Sequence, residues 1–134
     1  MNDYESGPEV RWSDVEKKVA RRAFDLGCER ECRTIAAKVK KLMAQNANPR
    51  AIWAIEDYLF EQRRKFDEKY DYRYSVLISV FGRLLAERWL SVDDLAGLRD
   101  EKIERIEKFA SFRNRRDPSA GRAPNGPRED HPLA

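Results

Sequence analysis

The sequence predicts an all-α protein with two long antiparallel helices and a small helical head. Apolar residues recur at steps of three and four through most of the chain, as they do in amphipathic helices. The pair Asn48-Pro49 separates the two longest of these stretches, and both residue types are common at helix starts. Only Tyr70, Tyr72 and Tyr74 alternate as in a strand, and the chain offers them no partner strand. We therefore expect a helix junction there rather than a sheet.

The composition is that of one soluble globular domain. The chain has 134 residues, of which 41% are hydrophobic and 38% are charged. Its 27 basic and 24 acidic side chains are interspersed and leave a net charge of +3, so nucleic acid is not the first partner to expect. The longest apolar cluster, Val76 to Phe81, is too short to span a bilayer. These features predict a cytoplasmic protein that does not enter the membrane.

Helix one is predicted to run from Ser13 to about Ala44. Ser13 and Glu16 have the spacing of a capping box, and Trp12 stands where a hydrophobic staple would pack. Gly27 interrupts the pattern at a cost of about 1 kcal/mol relative to Ala, and it marks the place where the helix could bend. The apolar stripe consists of Val15, Val19, Phe24, Cys28, Cys32, Ile35, Val39 and Leu42.

Cys28 and Cys32 lie one helical turn apart on this stripe. Side chains four residues apart on a helix run nearly parallel, which is a poor arrangement for a disulfide between them. A metal site would need further ligands, and the single histidine, His131, lies in a Pro-rich segment near the C terminus. We expect two buried structural thiols and no cofactor, with redox sensing and metal binding as the alternatives for the thiols.

Helix two is predicted to start at Asn48, with Pro49 in its first turn. The stripe expected to face the core consists of Ile52, Ile55, Leu59, Phe66 and Tyr70. The neighbouring stripe consists of Trp53, Asp57, Phe60 and Arg64, with Arg63 at its edge. Aromatic, carboxylate and guanidinium groups together on one helix face favour recognition of a partner.

Shorter helices are predicted to form the head. The first covers about Tyr74–Glu87, with Asp71 or Ser75 as its cap. Ser91 and Asp94 repeat the capping-box spacing before a short helix. The last helix is capped by Asp100 and carries Ile103, Ile106, Phe109 and Phe112.

These elements define one helical domain over residues 13–112. Residues 1–12 show no apolar period, so they are predicted to be a flexible arm that ends at the Trp12 anchor. Residues 113–134 are rich in Arg, Pro and Gly and contain almost no large apolar side chain. Such a segment cannot bury enough surface to offset its ordering entropy, so we expect a disordered tail.

The predicted helix lengths favour an elongated homodimer. A helix of about 32 residues extends about 48 Å, whereas a compact domain of about 100 residues has a radius of gyration of about 13 Å. Apolar stripes of this length need cover, and a second copy across a two-fold axis supplies it. The alternative is a helix that breaks at Gly27 and folds back on its own monomer.

One set of residues carries a resemblance to a known family. It consists of Ile52-Trp53, Asp57-Tyr58-Leu59, Arg63, Phe66-Asp67, Lys69-Tyr70-Asp71, Arg73, Ser75-Val76, Val80-Phe81, Asp94-Leu95, Leu98 and Asp100-Glu101-Lys102. With these residues the chain resembles the fluorescence recovery protein family over roughly Trp12 to Phe109. The resemblance implies an all-helical dimer without cofactor that binds photoactivated orange carotenoid protein. It further implies faster return of that client to its resting orange form, which ends quenching at the phycobilisome.

The resemblance also implies the partner-binding residues. The Trp, Asp and Arg that the family uses in dimer contact and partner binding fall on Trp53, Asp57 and Arg63. Phe60 shares their stripe, and Glu56 replaces the His that cyanobacterial members usually carry before the Asp. We predict these five as the partner-binding or dimer-interface residues. The alternatives are ordinary dimer core for Trp53 and a solvated helix-face pair for Asp57 and Arg63.

Two further interpretations stay open. Glu56, together with Ser79 where the family tends to have an aromatic residue, is compatible with a member outside the cyanobacterial group that has a different protein client. A nucleic-acid-associated dimer would use the basic residues Lys38, Lys40, Lys41, Arg113, Arg115, Arg116, Arg122 and Arg128. Enzymatic activity is not expected, because the sequence has no Gly-rich phosphate loop, nucleophile motif or usable histidine.

Overall fold

The computed structural model describes residues 10–116, which are helical apart from short connections. The elements in chain order are α1 (Asp14–Gln45), α2 (Ala51–Lys69), α3 (Leu77–Ala86), a 3₁₀ helix (Val92–Leu95) and α4 (Asp100–Arg116). No strand occurs among these described residues, so the predicted all-α fold is confirmed for them. None of these helices combines the length and the apolar character that a membrane crossing requires. Residues 1–9 and 117–134, most of the predicted arm and tail, lie outside the described residues.

α1 is one continuous helix of 32 residues, about 48 Å long. The predicted capping box begins it: the Glu16 amide donates to Ser13 Oγ at 3.1 Å, and the Ser13 amide donates to Glu16 Oε1 at 3.1 Å. Gly27 does not interrupt the helix. A Cβ at Gly27 would lie 3.1 Å from Leu84 Cδ1 and 3.5 Å from the Tyr70 hydroxyl oxygen. The glycine therefore allows other elements to approach α1 closely.

α1 and α2 form an antiparallel hairpin, as predicted. Leu59, in the middle of α2, lies beside Val39 near the end of α1. Tyr70, directly after α2, donates its hydroxyl hydrogen to Glu31 at 2.9 Å. Later residues of α2 thus meet earlier residues of α1.

The turn between the two helices differs from the prediction. Asn48 does not cap α2; its side-chain oxygen accepts the Arg50 amide hydrogen at 3.0 Å and closes a turn. Pro49 lies in that turn, and α2 begins at Ala51 without a side-chain cap. An Asn side chain that accepts a hydrogen bond from the backbone amide two residues ahead commonly forms a turn. An Asn that forms such a turn and an Asn that caps a helix have the same sequence pattern.

The head consists of α3, the 3₁₀ helix, α4 and the first half of α1, up to Gly27. α3 and α4 approach each other closely at Gly82, where a Cβ would lie 2.6 Å from Phe109 Cδ1. The buried apolar cluster of the head consists of Trp12, Val19, Ala20, Ala23, Phe24, Leu77, Val80, Phe81, Leu84, Trp89, Leu90, Leu95, Leu98 and Ile106. Residues from both ends of the described chain therefore share one core.

The connection between α2 and α3 is a turn, as the sequence predicted, but α3 is shorter than expected. It begins at Leu77 rather than near Tyr74. Neither predicted cap acts, since α3 has no side-chain cap. The Asp71 carboxylate instead accepts hydrogen bonds from Arg73, the shortest at 2.6 Å.

The capping box of Ser91 and Asp94 is confirmed, and it starts the 3₁₀ helix. Asp94 also accepts a hydrogen bond of 2.8 Å from Arg30 of α1. α4 begins at Asp100 itself, so this residue is not the cap but the first helical position. The helix extends past the predicted domain end at Phe112.

A buried carboxylate joins α1 to α4. Glu16 Oε2 accepts the Arg99 amide hydrogen at 2.9 Å, and Glu16 Oε1 accepts from Lys102 Nζ at 3.1 Å. Both side chains are 4% exposed, and Lys102 Nζ also donates to the Arg11 carbonyl at 2.6 Å. Burial alone would raise the pKa of Glu16, but the hydrogen bonds from Arg99, Ser13 and Lys102 outweigh it and lower the pKa to about 2. We call this arrangement the Glu16 clasp.

A buried ammonium joins α2 to both α1 and α3. Lys69 is 6% exposed, and its Nζ lies 2.7 Å from a carboxylate oxygen of Glu31 and 2.6 Å from one of Glu87. Tyr70 donates to Glu31, and the Trp89 indole donates to Glu87 at 3.1 Å. Burial tends to raise the pKa of Glu87, yet the charge of Lys69 holds it below its ordinary value. This Lys69 cluster fixes the hairpin to the head.

The remaining hairpin, which we call the stalk, consists of α1 from Cys28 to Gln45 and of α2. The described chain buries no residue of α1 beyond Gly27, and Ile55 is the one buried apolar residue of α2. Cys28 is half-buried and Cys32 is exposed, so the predicted burial of both thiols is wrong for Cys32 in the single chain. The stalk therefore leaves most of its apolar stripe only partly covered, and Cys32, Ile52 and Leu59 are exposed.

The Glu16 clasp predicts a specific pH dependence of stability. A carboxylate whose pKa falls from 4.5 to about 2 stabilises the fold above pH 4.5, and this contribution disappears as the pH drops through 2. The shift corresponds to about 3 kcal/mol. We expect Glu16→Gln to lower the free energy of unfolding at pH 7 by about that amount, and the difference from the parent chain to shrink toward pH 2. Urea unfolding followed by circular dichroism at several pH values measures both effects.

Glu104→Gln is the matched control, because Glu104 is an exposed carboxylate on α4. It should leave the free energy of unfolding within about 0.5 kcal/mol of the parent value. A Glu16→Gln deficit of constant size from pH 7 to pH 2 would contradict the assigned role of the carboxylate.

Removal of the buried ammonium should be equally damaging. Lys69→Met leaves the carboxylates of Glu31 and Glu87 close together without their shared cation, and breaking a buried pair in this way costs about 3–5 kcal/mol. Lys65→Met, on the exposed side of the same helix, is the control. Thermal unfolding should show a large loss of Tm for Lys69→Met and almost none for Lys65→Met; equal effects would refute the assignment.

Candidate partner-binding site on α2

α2 has an inner face that packs against the rest of the chain. Ile55 is 7% exposed, and Tyr58 and Phe66 are half-buried. These three residues and Lys69 recur at helical spacing on the side that faces α1. Burial also raises the pKa of Tyr58.

The opposite side of α2 carries all five residues predicted as the site. We define the outer face as Trp53, Glu56, Asp57, Phe60 and Arg63. At 100° per residue these positions fall within about a third of the circumference of the helix. Every one of them is exposed, and Trp53 and Phe60 have 64% and 71% of their surface accessible. Helical periodicity alone thus brings the predicted residues to one face.

The helix-face pair of Asp57 and Arg63, the alternative to a partner-binding role for these residues, does not form within the described chain. Asp57 and Arg63 are six residues apart, which places them about 120° apart around the helix. Arg63 instead bonds to Asp67, one turn further on, with 3.0 Å between its Nε and the carboxylate. Both partners of that pair are well exposed. Within the described chain, then, Arg63 and Asp57 do not contact each other.

An apolar groove adjoins the outer face along the contact of the two stalk helices. Leu59 forms one wall, and the residues of α1 that complete it are Cys32, Ile35, Ala36, Val39 and Lys40. Leu59 is 41% exposed and Ile52 is 53% exposed, although the sequence pattern assigned both to the core. Met43, near the end of α1, is 60% exposed. These residues extend the candidate site beyond the five predicted ones.

The surface chemistry of the stalk is suited to protein recognition. An exposed Trp and an exposed Phe offer large apolar contact areas, and an adjacent Arg offers a directional donor; these residue types are common at interface hot spots.

The Cys28 thiol is poorly nucleophilic, because burial raises its pKa to about 11. Among residues 10–116, no group of three or more potential metal-binding side chains comes together.

Comparison with known proteins gives a consistent result. A sequence model of the family described as "Photoprotection regulator fluorescence recovery protein" matches residues 12–110. The fluorescence recovery protein of Synechocystis sp. is 32% identical over 102 residues, which cover 76% of this chain and 94% of that protein.

Solved structures of such proteins share the fold. The fluorescence recovery protein of Fremyella diplosiphon is 37% identical and superimposes with a TM-score of 0.70, covering 75% of this chain and 99% of that one. The Synechocystis sp. structure is 32% identical, with the same TM-score and coverage. On this match of sequence and fold, the chain belongs to the fluorescence recovery protein family of photoprotection regulators.

Proposed function

We propose that this chain acts as a homodimer without enzymatic activity that binds photoactivated orange carotenoid protein and accelerates its return to the resting form. The observation that carries the proposal is the outer face of α2, with its exposed Trp53, Phe60 and Arg63, on the fold of a photoprotection regulator. A surface of this kind needs a protein partner to cover it.

Acceleration of a conformational return requires only selective binding. A protein that binds an intermediate on the return path more tightly than the photoactivated form lowers the barrier between them. Each tenfold difference in affinity corresponds to about 1.4 kcal/mol, so a modest preference produces a large change in rate. Rigid presentation of the outer face by a helix suits this task, because little ordering entropy is lost on binding.

The proposed dimer rests on the uncovered stalk. Ile52, Leu59 and Met43 are exposed beside the apolar groove, and the described chain has no further element that covers them. A second copy presents the same stripe, so a two-fold arrangement lets each stalk cover the other. We propose the apolar groove as the centre of that contact, with the outer face shared between dimer and client.

A related function with another client has specific support. The family resemblance places Glu56 of the outer face where cyanobacterial members usually carry a histidine, and Ser79 of α3 where they tend to carry an aromatic residue. Both changes alter the surface chemistry and leave the fold intact, which is the pattern expected when a scaffold is kept and its partner changes.

One assay separates the two proposals. The purified chain is mixed with photoactivated orange carotenoid protein, and the red-to-orange reversion is followed by absorbance. Faster reversion supports the first proposal. Binding without acceleration, or no binding by an intact dimer, favours a different client.

The first prediction for the site concerns the dimer. Trp53 is 64% exposed in the single chain, so Trp53→Ala should change the folding of the monomer little. Each Trp at a hot spot contributes about 2 kcal/mol, and a two-fold interface contains it twice, so the dimer should weaken by about 4 kcal/mol, or about a thousandfold. Light scattering and analytical ultracentrifugation across a concentration series measure this change.

Phe112→Ala serves as the control for loss of an exposed aromatic ring elsewhere, since Phe112 is 53% exposed on α4. The control should remain dimeric at the concentrations at which Trp53→Ala dissociates. An unchanged Trp53→Ala dimer at low micromolar concentration would rule out a contribution of Trp53 to the dimer contact.

The second prediction concerns the client. Arg63→Leu should retain helix content and dimerisation, because it breaks only an exposed pair with Asp67. It should weaken the complex with photoactivated orange carotenoid protein at least about tenfold, as loss of one interfacial charge does. Titration followed by gel filtration and by reversion rate gives the affinity.

Arg33→Leu is the matched control. Arg33 forms an equivalent exposed ion pair with Glu29 on α1, with 2.6 Å between the charged atoms. It should bind the client like the parent chain. If both variants bind equally well, Arg63 has no special part in recognition.

A further inference from the structure

A cleft of about 720 Å³ opens on the head, away from the outer face of α2. It lies between the segment that precedes α1 and the first turns of α4. Its wall contains Glu16 and Lys102 of the Glu16 clasp, which neutralise each other. The other charged residues that line it are Arg11, Arg99, Glu101, Glu104 and Arg105. Three guanidinium groups therefore meet two carboxylates, and the cleft is cationic on balance.

The cleft continues through Arg105 into an exposed face of α4. We define the cationic face as Arg105, Lys108, Phe109, Phe112 and Arg115, all of which are exposed. At about 100° per residue these five positions fall within about a third of the circumference of the helix. Phe112 is 53% exposed, and cations stand two turns before it, one turn before it and one turn after it. The face thus places positive charge on both sides of an exposed aromatic ring.

The cations of this face have no ion-pair partner within the described chain. Arg105 and Lys108 each follow a glutamate by four residues, which is the spacing at which opposite charges pair on a helix. Elsewhere in the chain such pairs do form: Arg21 with Asp25, Arg33 with Glu29, and Arg63 with Asp67. Within residues 10–116 no ion pair involves Arg105, Lys108 or Arg115. Their charged groups are therefore available to an anionic partner.

The helix dipole explains only part of this charge. The last turn of a helix attracts cations, because its carbonyl groups carry partial negative charge. This effect accounts for Arg115, which lies in the last turn of α4. Arg105 and Lys108 lie at least two turns from that end, where the effect has decayed. Their position beside an exposed Phe ring favours a partner that carries both negative charge and flat apolar groups.

Single-stranded nucleic acid combines these two properties, since it carries phosphates and its unpaired bases stack on aromatic side chains. An acidic peptide supplies the charge without the stacking groups. The axial distance from Arg105 to Arg115 is about 15 Å, so a strand of a few nucleotides covers the face. The volume of the cleft lies within the range of about 300–1,000 Å³ that is typical of small-molecule sites, which leaves room for one nucleotide.

We propose that the cleft and the cationic face of α4 form one binding surface for single-stranded nucleic acid, with a base stacked on Phe112 and phosphates bound by the cationic side chains. The cations of this surface are Arg11, Arg99, Arg105, Lys108 and Arg115. The surface belongs to the head, whereas the outer face of α2 belongs to the stalk. Binding of nucleic acid is therefore independent of the client proposed for α2.

The salt dependence of binding is the first test. Fluorescence anisotropy of a labelled single-stranded RNA of about 12 nucleotides, titrated with the full chain, measures the affinity. Five phosphate contacts at about 0.7 each predict a slope of log K against log salt of about −3.5. The affinity should then fall about a hundredfold between about 50 and 200 mM salt. An affinity that does not change with salt, or no binding at low salt, would overturn the proposal.

Arg105→Gln with Lys108→Gln removes two of the five cations. The fold should be retained, because neither side chain takes part in an ion pair, and circular dichroism checks this. We expect the salt slope to decrease by about 1.4 and the affinity at low salt to fall at least about tenfold. Lys18→Gln with Lys65→Gln is the matched control, since it removes the same charge from exposed positions elsewhere. Equal losses in the two variants would show attraction by net charge alone and would refute the assigned surface.

Phe112→Leu tests the stacked base. It keeps an apolar side chain but lacks the flat ring, so it should weaken binding at least about fivefold and leave the salt slope unchanged. Phe112→Trp should retain the affinity of the parent chain. Unchanged binding by Phe112→Leu would contradict the stacking contact. Displacement of the RNA by a poly-glutamate peptide of equal charge as effectively as by unlabelled RNA would identify an acidic protein as the partner and overturn the proposal.

Discussion

The Glu16 carboxylate is the constraint on which the architecture depends. It completes the cap of α1, accepts the amide of Arg99 ahead of α4, and neutralises the buried Lys102. One side chain thus connects positions more than 80 residues apart along the sequence and fixes the start of α4 against the start of α1. The charges of Glu16 and Lys102 are almost fully buried, and burial of either charge without the other would be strongly unfavourable. The contact between α1 and α4 therefore forms with both charges in place or does not form.

The Glu16 contacts close the head, and the stalk is stabilised by other residues. The Lys69 cluster anchors the hairpin where it meets the head, through Glu31 and Glu87. Beyond that point only Ile55 is buried among the apolar residues of α2. Stability is therefore concentrated at one end of the molecule, and the other end offers a helical but uncovered surface. Such a division permits changes on the outer face without loss of the fold, which is why fold and partner can diverge within one family.

The sequence predicted what local patterns determine. The capping boxes at Ser13 and Ser91, the helical character of each element and the clustering of the five site residues all follow from spacing along one helix. The exposure of Ile52 and Leu59 could not be predicted, because an apolar stripe looks the same whether its own chain or a second molecule covers it. The long-range partner of Glu16 was equally inaccessible, since no spacing rule relates it to α4.

The pairing of Arg63 with Asp67 is exposed and weak enough for another acceptor to replace it. An intrahelical pair of this kind contributes about 0.2–1 kcal/mol, too little to hold the guanidinium against a better acceptor. It does restrict the rotamers of a long side chain and so reduces the entropy lost when a partner binds. An interfacial carboxylate that displaces Asp67 gains a desolvated contact, whose loss costs about 2–5 kcal/mol when one charge is removed. Arg63 is therefore oriented by its own helix yet remains available to another chain.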